Sequence, residues 1–201
     1  MAAICVFCSS SWRIDPAHLE VAEQVGSEIA RRGHSLVSGG GRVSCMGAVA
    51  RAARAGGART VGVIPEVLVD MEVADHESDE LVITSDMRSR KGEMDRRADA
   101  FVCLPGGLGT LEELLEIWVG RTLGVHVKPI VVVDPGAVFG PLRDQVQALV
   151  GAGFVRPEAR DVVQWADDAS QALDLVEAAL DAPVPARRFV PVAEDLMESE
   201  T

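Results

Sequence analysis

Residues 100–122 read AFVCLPGGLGTLEELLEIWVGRT and predict a strand, a glycine loop and a helix in immediate succession. The run 100–104 is continuously apolar, which is typical of a parallel strand covered on both faces. Residues 105–110 then supply three glycines, and a helical pattern over 110–122 follows. A helix that begins directly after a strand offers free backbone N–H groups and a partial positive charge. The stretch therefore predicts a layered α/β fold with an anion site where the strand ends.

The same alternation of strand and helix extends over most of the chain. Further strands are predicted at residues 3–7, 35–37, 60–64, 81–84 and 130–133. Further helices are predicted from Pro16, after a capping Asp15, to the stop at Gly33, and at residues 46–55, 86–98, 141–150 and 168–180. This order predicts right-handed crossovers and a doubly wound parallel sheet forming one domain over residues 1–180. Residues 181–201 contain several prolines and end in acidic residues, so we expect an extended or disordered tail.

The composition limits the classes of partner. The 201 residues suit one domain, and 31 acidic against 19 basic side chains give a net charge of -12. Such a surface repels nucleic acid and anionic lipid. No apolar run reaches the roughly 18 residues of a membrane span, and residues 1–11 lack the features of an export signal. With only four cysteines, the chain is expected to be cytoplasmic, with neither nucleic acid nor a membrane as partner.

A second glycine loop, residues 38–42, also follows a strand and precedes a helix. Glycines after strands often form tight turns only, but two such loops on one small domain favour a phosphorylated ligand. Ser44 stands where a dinucleotide-binding loop needs its third glycine, and the nearest acid, Glu66, comes only after Pro65. NAD is therefore disfavoured. The scattered histidines form no ligand pattern, so no metal is expected.

Three cations open the helix predicted at residues 86–98. Arg88, Arg90 and Lys91 lie within its first turn and a half, where positive charges oppose the helix dipole. They form either a solvated face paired with acidic residues of the same helix or part of an anion site. We favour the anion site for Arg90 and Lys91, and the solvated face for Arg88.

Thr110 and Glu113 stand three residues apart at the start of the next helix. This spacing is that of a capping box, which requires no catalytic role. The alternative is that the positive end of the helix dipole keeps Glu113 ionised near neutral pH. An ionised carboxylate beside a phosphate-binding loop can orient water or stabilise a developing cation.

In combination, these motifs resemble those of the LONELY GUY family of cytokinin riboside 5'-monophosphate phosphoribohydrolases, long labelled lysine decarboxylases. The resemblance runs from about residue 4 to about residue 180 in unbroken order. Its pieces are VFCSS at 6–10, GGG at 39–41, Met46-Gly47, VGVIP at 61–65, Met87, Arg90-Lys91, PGGLGTLEE at 105–113, Leu123-Gly124, His126 and Lys128-Pro129.

The resemblance implies a Rossmann-like homodimer that hydrolyses the N-glycosidic bond of a nucleoside 5'-monophosphate to free base and ribose 5-phosphate, without a cofactor. It implies that Arg90 and Glu113 are the catalytic pair. The substrate-binding residues it implies are Ser9, Gly40, Gly41, Glu72, Met87, Lys91, Gly106, Gly107, Leu108, Gly109, Thr110, Leu111 and Glu112. Two departures bear on which base is accepted: Ser44-Cys45 replaces the frequent Gly-Leu, and Gly120-Arg121-Thr122 replaces Trp-x-Gln.

Two other functions are compatible with parts of the sequence. The glycine loops alone would explain a non-catalytic nucleotide or cofactor carrier on the same fold. A pyridoxal-phosphate decarboxylase is suggested only by the older family label, because no lysine stands in a recognisable Schiff-base context.

Overall fold

The fold is built on one parallel sheet, seen in a computed structural model that describes residues 1–69 and 74–182. The strands are β1 (Ala3–Phe7), β2 (Ser35–Ser38), β3 (Thr60–Pro65), β4 (Glu80–Thr84), β5 (Ala100–Cys103), β6 (Ile130–Val133) and β7 (Val163–Ala166). They lie side by side in the order β4-β3-β2-β1-β5-β6-β7, and every neighbouring pair is parallel. The predicted doubly wound parallel sheet is confirmed.

Helices cover both faces of this sheet. They are α1 (Ala17–Arg31), α2 (Ser44–Ala55), α3 (Glu66–Val69), α4 (Met87–Arg97), α5 (Leu108–Thr122), α6 (Gly140–Gly151), α7 (Pro157–Asp161) and α8 (Ala169–Asp181). Within the described ranges none is long and apolar enough to cross a membrane. Asp181 is the last residue of α8, and residues 183–201, most of the tail predicted to be extended, lie outside the described residues.

Side chains that alternate along the central strand fill two cores. Ile4 and Val6 pack in the core that contains residues of α1, α2 and α8, while Cys5 and Phe7 pack in the core formed with α4, α5 and α6. Cys8 joins the first core, so Cys5 and Cys8 lie on opposite faces as the strand geometry predicts.

The strand order reverses between β1 and β5, which are neighbours in the sheet. The connections that follow these two strands lead to helices on opposite faces, so a crevice opens beyond their carboxyl ends. The glycine loop after β5 and the serine-containing loop after β1 form its two sides. The fold thus places the motif quoted first at the usual ligand position of such sheets.

Candidate active site

A cleft of about 340 Å³ occupies this crevice. Its walls come from the loop after β1, the glycine loop after β2 and the N-terminal turns of α4 and α5. The predicted site residues that line it are Ser9, Met87, Arg90, Gly107, Leu108, Gly109, Thr110, Glu112 and Glu113. Residues that are far apart in the sequence therefore meet in one concave site.

Arg90 is a buried cation held by main-chain atoms. Its Nε donates to the carbonyl oxygen of Val63, and its Nη2 donates to the carbonyl oxygen of Gly39, both at 3.1 Å. Its Nη1 lies 3.9 Å from Oε1 of Glu113. Because two carbonyl groups fix the guanidinium, the remaining nitrogen is presented towards Glu113 in a constant position.

The start of α4 compensates for the cations that follow. Asp86 caps the helix and accepts a hydrogen bond from the backbone N–H of Ser89 at 2.9 Å. The hydrogen bonds from Ser89 and Ser85 lower the pKa of Asp86 to about 2, so the cap is ionised at neutral pH. This carboxylate offsets the unfavourable position of positive charge at a helix start.

Gly39 leaves room for Arg90. A Cβ at this position would overlap Nη2 of Arg90 and stand 2.9 Å from the sulfur of Met46. The glycine loop after β2 was predicted to bind phosphate, but the residue of this loop that lines the cleft, Gly39, packs directly against the arginine. The guanidinium of Arg90 can therefore occupy this position only because residue 39 has no side chain.

Glu113 is nearly buried, with 12% of its side chain exposed. Burial raises the pKa of Glu113 from 4.5 to about 7, although Arg90 acts in the opposite direction. The start of α5 therefore does not hold the pKa of Glu113 at or below its ordinary value, contrary to the expectation that the helix dipole keeps this carboxylate ionised. The physical reason is position: α5 begins at Leu108, so Glu113 lies in the second turn, where the dipole's effect has faded and desolvation dominates.

The capping-box interpretation of Thr110 and Glu113 is also wrong. The residue that caps α5 is Gly107, and within residues 1–69 and 74–182 no side chain accepts from the N-terminal N–H groups. A Cβ at Gly107 or Gly109 would meet no atom of the described residues within 4 Å, so both glycines border open space in the cleft. The first turn of α5 thus presents backbone donors and a partial positive charge to whatever enters.

Lys91 lies outside the cleft. Its ammonium group contacts Glu112 and lies 2.8 Å from Oε2 of Glu116, and the hydrogen bonds to both carboxylates raise the pKa of Lys91. It lines a smaller recess of about 200 Å³ between α4 and α5. To reach a ligand in the cleft, Lys91 would have to leave these carboxylates.

Other predicted residues support the cleft from behind. Gly40, with φ of +75°, accepts a hydrogen bond from the N–H of Asp75 at 2.8 Å, and Gly41 pairs with Ala74. Leu111 packs against the core beneath α5. A Cβ on Gly106 would overlap the Thr110 side chain. Glu72 lies outside the described residues, so its place in the substrate site stays a prediction.

Sequence reasoning missed several residues of the cleft. Cys8, Ser10 and Ser11 line it because they follow β1, and Met94 lines it from α4. The sequence does show that the residues after β1 directly follow a buried strand. This position predicts a ligand site only when β1 is known to lie where the strand order reverses, and the sequence does not reveal the strand order.

A larger groove of about 440 Å³ lies on the far side of α5, between α6 and β7. Its cations already have partners: Arg143 stacks on Trp165 with 4.6 Å to the ring centroid, and Arg160 pairs with Asp161. The smaller cleft, which combines a nearly buried carboxylate with an uncapped helix start, is the better candidate for chemistry.

Comparison with known proteins identifies the family to which the chain is related. A family model described as possible lysine decarboxylase matches residues 46–176. The cytokinin riboside 5'-monophosphate phosphoribohydrolase of Mycobacterium tuberculosis is 50% identical over 173 residues, which cover 85% of this chain and 90% of that protein. The Arabidopsis thaliana protein of that name designated LOG7 is 41% identical over 174 residues, covering 87% of this chain and 80% of that one.

Solved structures show the same architecture in more distant proteins. The molybdenum cofactor carrier protein of Chlamydomonas reinhardtii superposes with a TM-score of 0.66 at 20% identity, covering 90% of this chain and 99% of that one. This likeness concerns the fold alone. The much higher identity to the phosphoribohydrolases, together with the matching family model, confirms the resemblance seen in the motifs: the chain belongs to the family of cytokinin riboside 5'-monophosphate phosphoribohydrolases, whose family model is described as possible lysine decarboxylase.

Proposed function

We propose that this chain, within residues 1–180, hydrolyses the N-glycosidic bond of a nucleoside 5'-monophosphate and releases free base and ribose 5-phosphate. One observation carries the proposal: Arg90 and Glu113 face each other at 3.9 Å beside the uncapped start of α5, inside one cleft. The names of relatives that are 41% and 50% identical support the same activity.

The phosphate of the substrate binds at the first turn of α5 in this proposal. The backbone N–H groups of Leu108, Gly109 and Thr110 have no intrahelical acceptor, because they belong to the first turn. Gly107 and Gly109 carry no side chain that would keep a phosphate away from the backbone. The -12 net charge of the chain then does not oppose binding, since the anion is held by local dipoles rather than by the overall field.

The bond cleavage relies on the two buried charged groups. Cleavage of an N-glycosidic bond passes through an oxocarbenium-like state, for which glycosidases use two carboxylates. Of the two carboxylates that line the cleft among the described residues, Glu113 is nearly buried, whereas Glu112 is exposed and paired with Lys91. We assign to the ionised form of Glu113 the stabilisation of that cation or the orientation of the attacking water. Arg90 positions the substrate and assists the leaving base through hydrogen bonds and charge, since a guanidinium is not a practical proton donor. Water adds to the sugar carbon, and the base departs with the bonding electrons and a proton.

The two rival functions have weaker support. The molybdenum cofactor carrier shares the fold at 20% identity, which says nothing about the ligand of this chain. For a decarboxylase that uses a Schiff base, the lysines are unsuitable. Lys91 is paired with Glu112 and Glu116, and Lys128 lies 2.9 Å from Asp95, whereas a Schiff-base lysine requires an accessible neutral amine. These are the chain's two lysines.

The decisive experiment offers the protein a panel of monophosphates: adenosine, N6-prenyladenosine, guanosine, inosine and cytidine. Free base is quantified by chromatography and ribose 5-phosphate by a coupled assay, and we expect equal amounts of the two products. The matching nucleosides without phosphate are the control and should be cleaved far more slowly. Recovery of unchanged, bound nucleotide from every member of the panel would instead identify a carrier.

The pH dependence of the reaction should report Glu113. Because burial raises the pKa of Glu113 to about 7, the carboxylate form is lost as the pH falls through this value. We expect kcat/KM to decrease below about pH 7, since this ratio reports ionisation of the free enzyme. The second ionisation of the phosphate lies near pH 6, so the assignment requires a second profile with a substrate analogue whose anionic group has a different pKa, such as a phosphorothioate. A profile that is flat between pH 6 and 8 would remove Glu113 from the role proposed.

We propose that the protein is a homodimer that associates through α5. Leu115, Val119 and Leu123 follow each other at four-residue spacing and are exposed, and Val125 lies nearby with 70% of its surface open. Such an apolar stripe on a helix is typical of a surface covered by another chain.

This surface makes a testable prediction. Val119→Glu should convert the dimer to a monomer, as measured by light scattering after gel filtration, because it places a charge at the centre of the stripe. Phe154→Glu, which changes an exposed apolar residue that is not part of the stripe on α5, is the matched control and should leave the dimer intact. A wild-type protein that is monomeric at micromolar concentration would contradict the proposal.

We also propose a cytoplasmic location and no association with nucleic acid or membranes. Cys5, Cys8, Cys45 and Cys103 are all buried free thiols, which is the usual state in a reducing compartment. The excess of acidic over basic side chains supports the absence of polyanionic partners.

A further inference from the structure

The first residue of α2 has an unusual backbone. Ser44 has φ of +50°, in the left-handed region that disfavours any residue with a Cβ. Its side chain is buried. Such a conformation costs free energy and persists only where the surrounding contacts hold it.

A short hydrogen bond accompanies this conformation. The hydroxyl of Ser44 donates to the carbonyl oxygen of Ser11 at 2.6 Å. Ser9, Ser10 and Ser11, which we call the serine loop, follow β1 and line the cleft opposite the start of α5. Within this loop the hydroxyl of Ser9 accepts from the N–H of Ser11 at 3.0 Å. Ser44 therefore connects α2 to a wall of the cleft that it does not itself line.

The next residue makes a second connection from the same helical turn. The thiol of Cys45 donates to the carbonyl oxygen of His18 at 3.5 Å, at the beginning of α1. The first turn of α2 thus holds the connection between β1 and α1 at two points. Of these two hydrogen bonds, the one from Ser44 is made to a residue that lines the cleft.

We propose that Ser44 is a positioning residue: its strained backbone and its hydrogen bond to Ser11 hold the serine loop against the cleft and so set the affinity for the substrate. Ser44 takes no part in bond cleavage, because the reacting atoms lie near Arg90 and Glu113. The predicted change in KM rests on the proposed hydrolase function, whereas the predicted change in amide hydrogen exchange does not.

Two substitutions separate the strain from the hydrogen bond. Ser44→Gly removes both, since glycine adopts a positive φ freely, so we expect an unchanged or higher Tm. Ser44→Ala keeps the strain and loses the hydrogen bond, so its Tm should fall. Both variants should raise KM for the best monophosphate by about 3- to 10-fold, the effect of one hydrogen bond, with kcat within about twofold of wild type.

The chain offers a matched control for the strain. Ala137 has φ of +52° and is exposed in the connection between β6 and α6, and it does not line the cleft. Ala137→Gly should raise the Tm without changing KM. A merely structural role for Ser44 would give the same result for Ser44→Gly.

Amide hydrogen exchange supplies the readout that is independent of turnover. Residues 9–13 should exchange faster in both Ser44 variants than in wild type or Ala137→Gly. Wild-type KM and wild-type exchange in both Ser44 variants would overturn the proposal. If the wild-type protein released no base from any monophosphate, the proposed function would fail. Unaltered exchange at residues 9–13 in both Ser44 variants would separately show that Ser44 does not hold the serine loop in place.

Discussion

Glu113→Gln should lower kcat for base release by about two to three orders of magnitude, the loss found when one group that stabilises transition-state charge is removed. Glutamine has the shape of glutamate but no negative charge to set against an oxocarbenium-like state. The measurement is the initial rate of base formation at saturating monophosphate, with KM determined in parallel. We expect KM to change little, because the phosphate contacts lie at the first turn of α5.

The same variant should be more stable than wild type in alkaline solution. The folded-state pKa of Glu113, about 7, lies above the ordinary 4.5. Folding is therefore penalised increasingly as the pH rises from about 4.5 to 7, and fully above that. Glutamine removes this penalty, which amounts to at most about 3 kcal/mol. We expect a higher Tm for Glu113→Gln at pH 8 and an equal Tm at pH 4.

Glu23→Gln is the matched control, because Glu23 is an exposed carboxylate on α1. It should change neither kcat nor the pH dependence of the Tm. Full activity in Glu113→Gln, with the fold intact, would refute the catalytic assignment.

Gly39→Ala should cause the second large loss of activity. A Cβ here overlaps Nη2 of Arg90, so the guanidinium must leave the carbonyl groups of Gly39 and Val63. A displaced arginine leaves two buried carbonyl oxygens without their donor, which costs stability as well as positioning. We expect kcat/KM to fall about 100-fold and the Tm to decrease, measured on the same purified sample.

Gly151→Ala is the control for the added methyl group. Gly151 is exposed at the end of α6, and a Cβ there meets no atom within 4 Å. Its kinetics should stay at the wild-type values, and its Tm should be unchanged or slightly higher, because alanine restricts the unfolded chain more than glycine. Wild-type kcat/KM in Gly39→Ala would show that Arg90 does not need its main-chain anchors.

The sequence predicted the parts of the fold whose signal is local. Six strands were recognisable because they are continuous apolar or β-branched runs. β7 was missed because it reads Val-Gln-Trp-Ala, a four-residue edge strand with half-buried centre positions. The one-turn helices α3 and α7 are too short to show periodicity. Strand order does not follow from any of these patterns.

The candidate site was predictable as a set of motifs, but its electrostatics were not. Arg90 and Glu113 could be paired through the family resemblance, although 22 positions separate them in the chain. The pKa of Glu113 depends on how deeply α5 buries it, which periodicity alone does not reveal. Likewise, Lys91 was predicted to belong to an anion site, whereas its ammonium group pairs with Glu112 and Glu116, which lie on a different helix.

The way Arg90 is anchored has a consequence for how the sequence can change over time. Its two acceptors are peptide carbonyl groups, and every amino acid supplies one. Replacement of Val63 by another residue of suitable volume leaves the anchor in place, so selection at that position acts on packing alone. Selection instead acts on the identity of Gly39, because a side chain at this position would overlap the guanidinium of Arg90. Related sequences should therefore vary at position 63 while position 39 stays fixed.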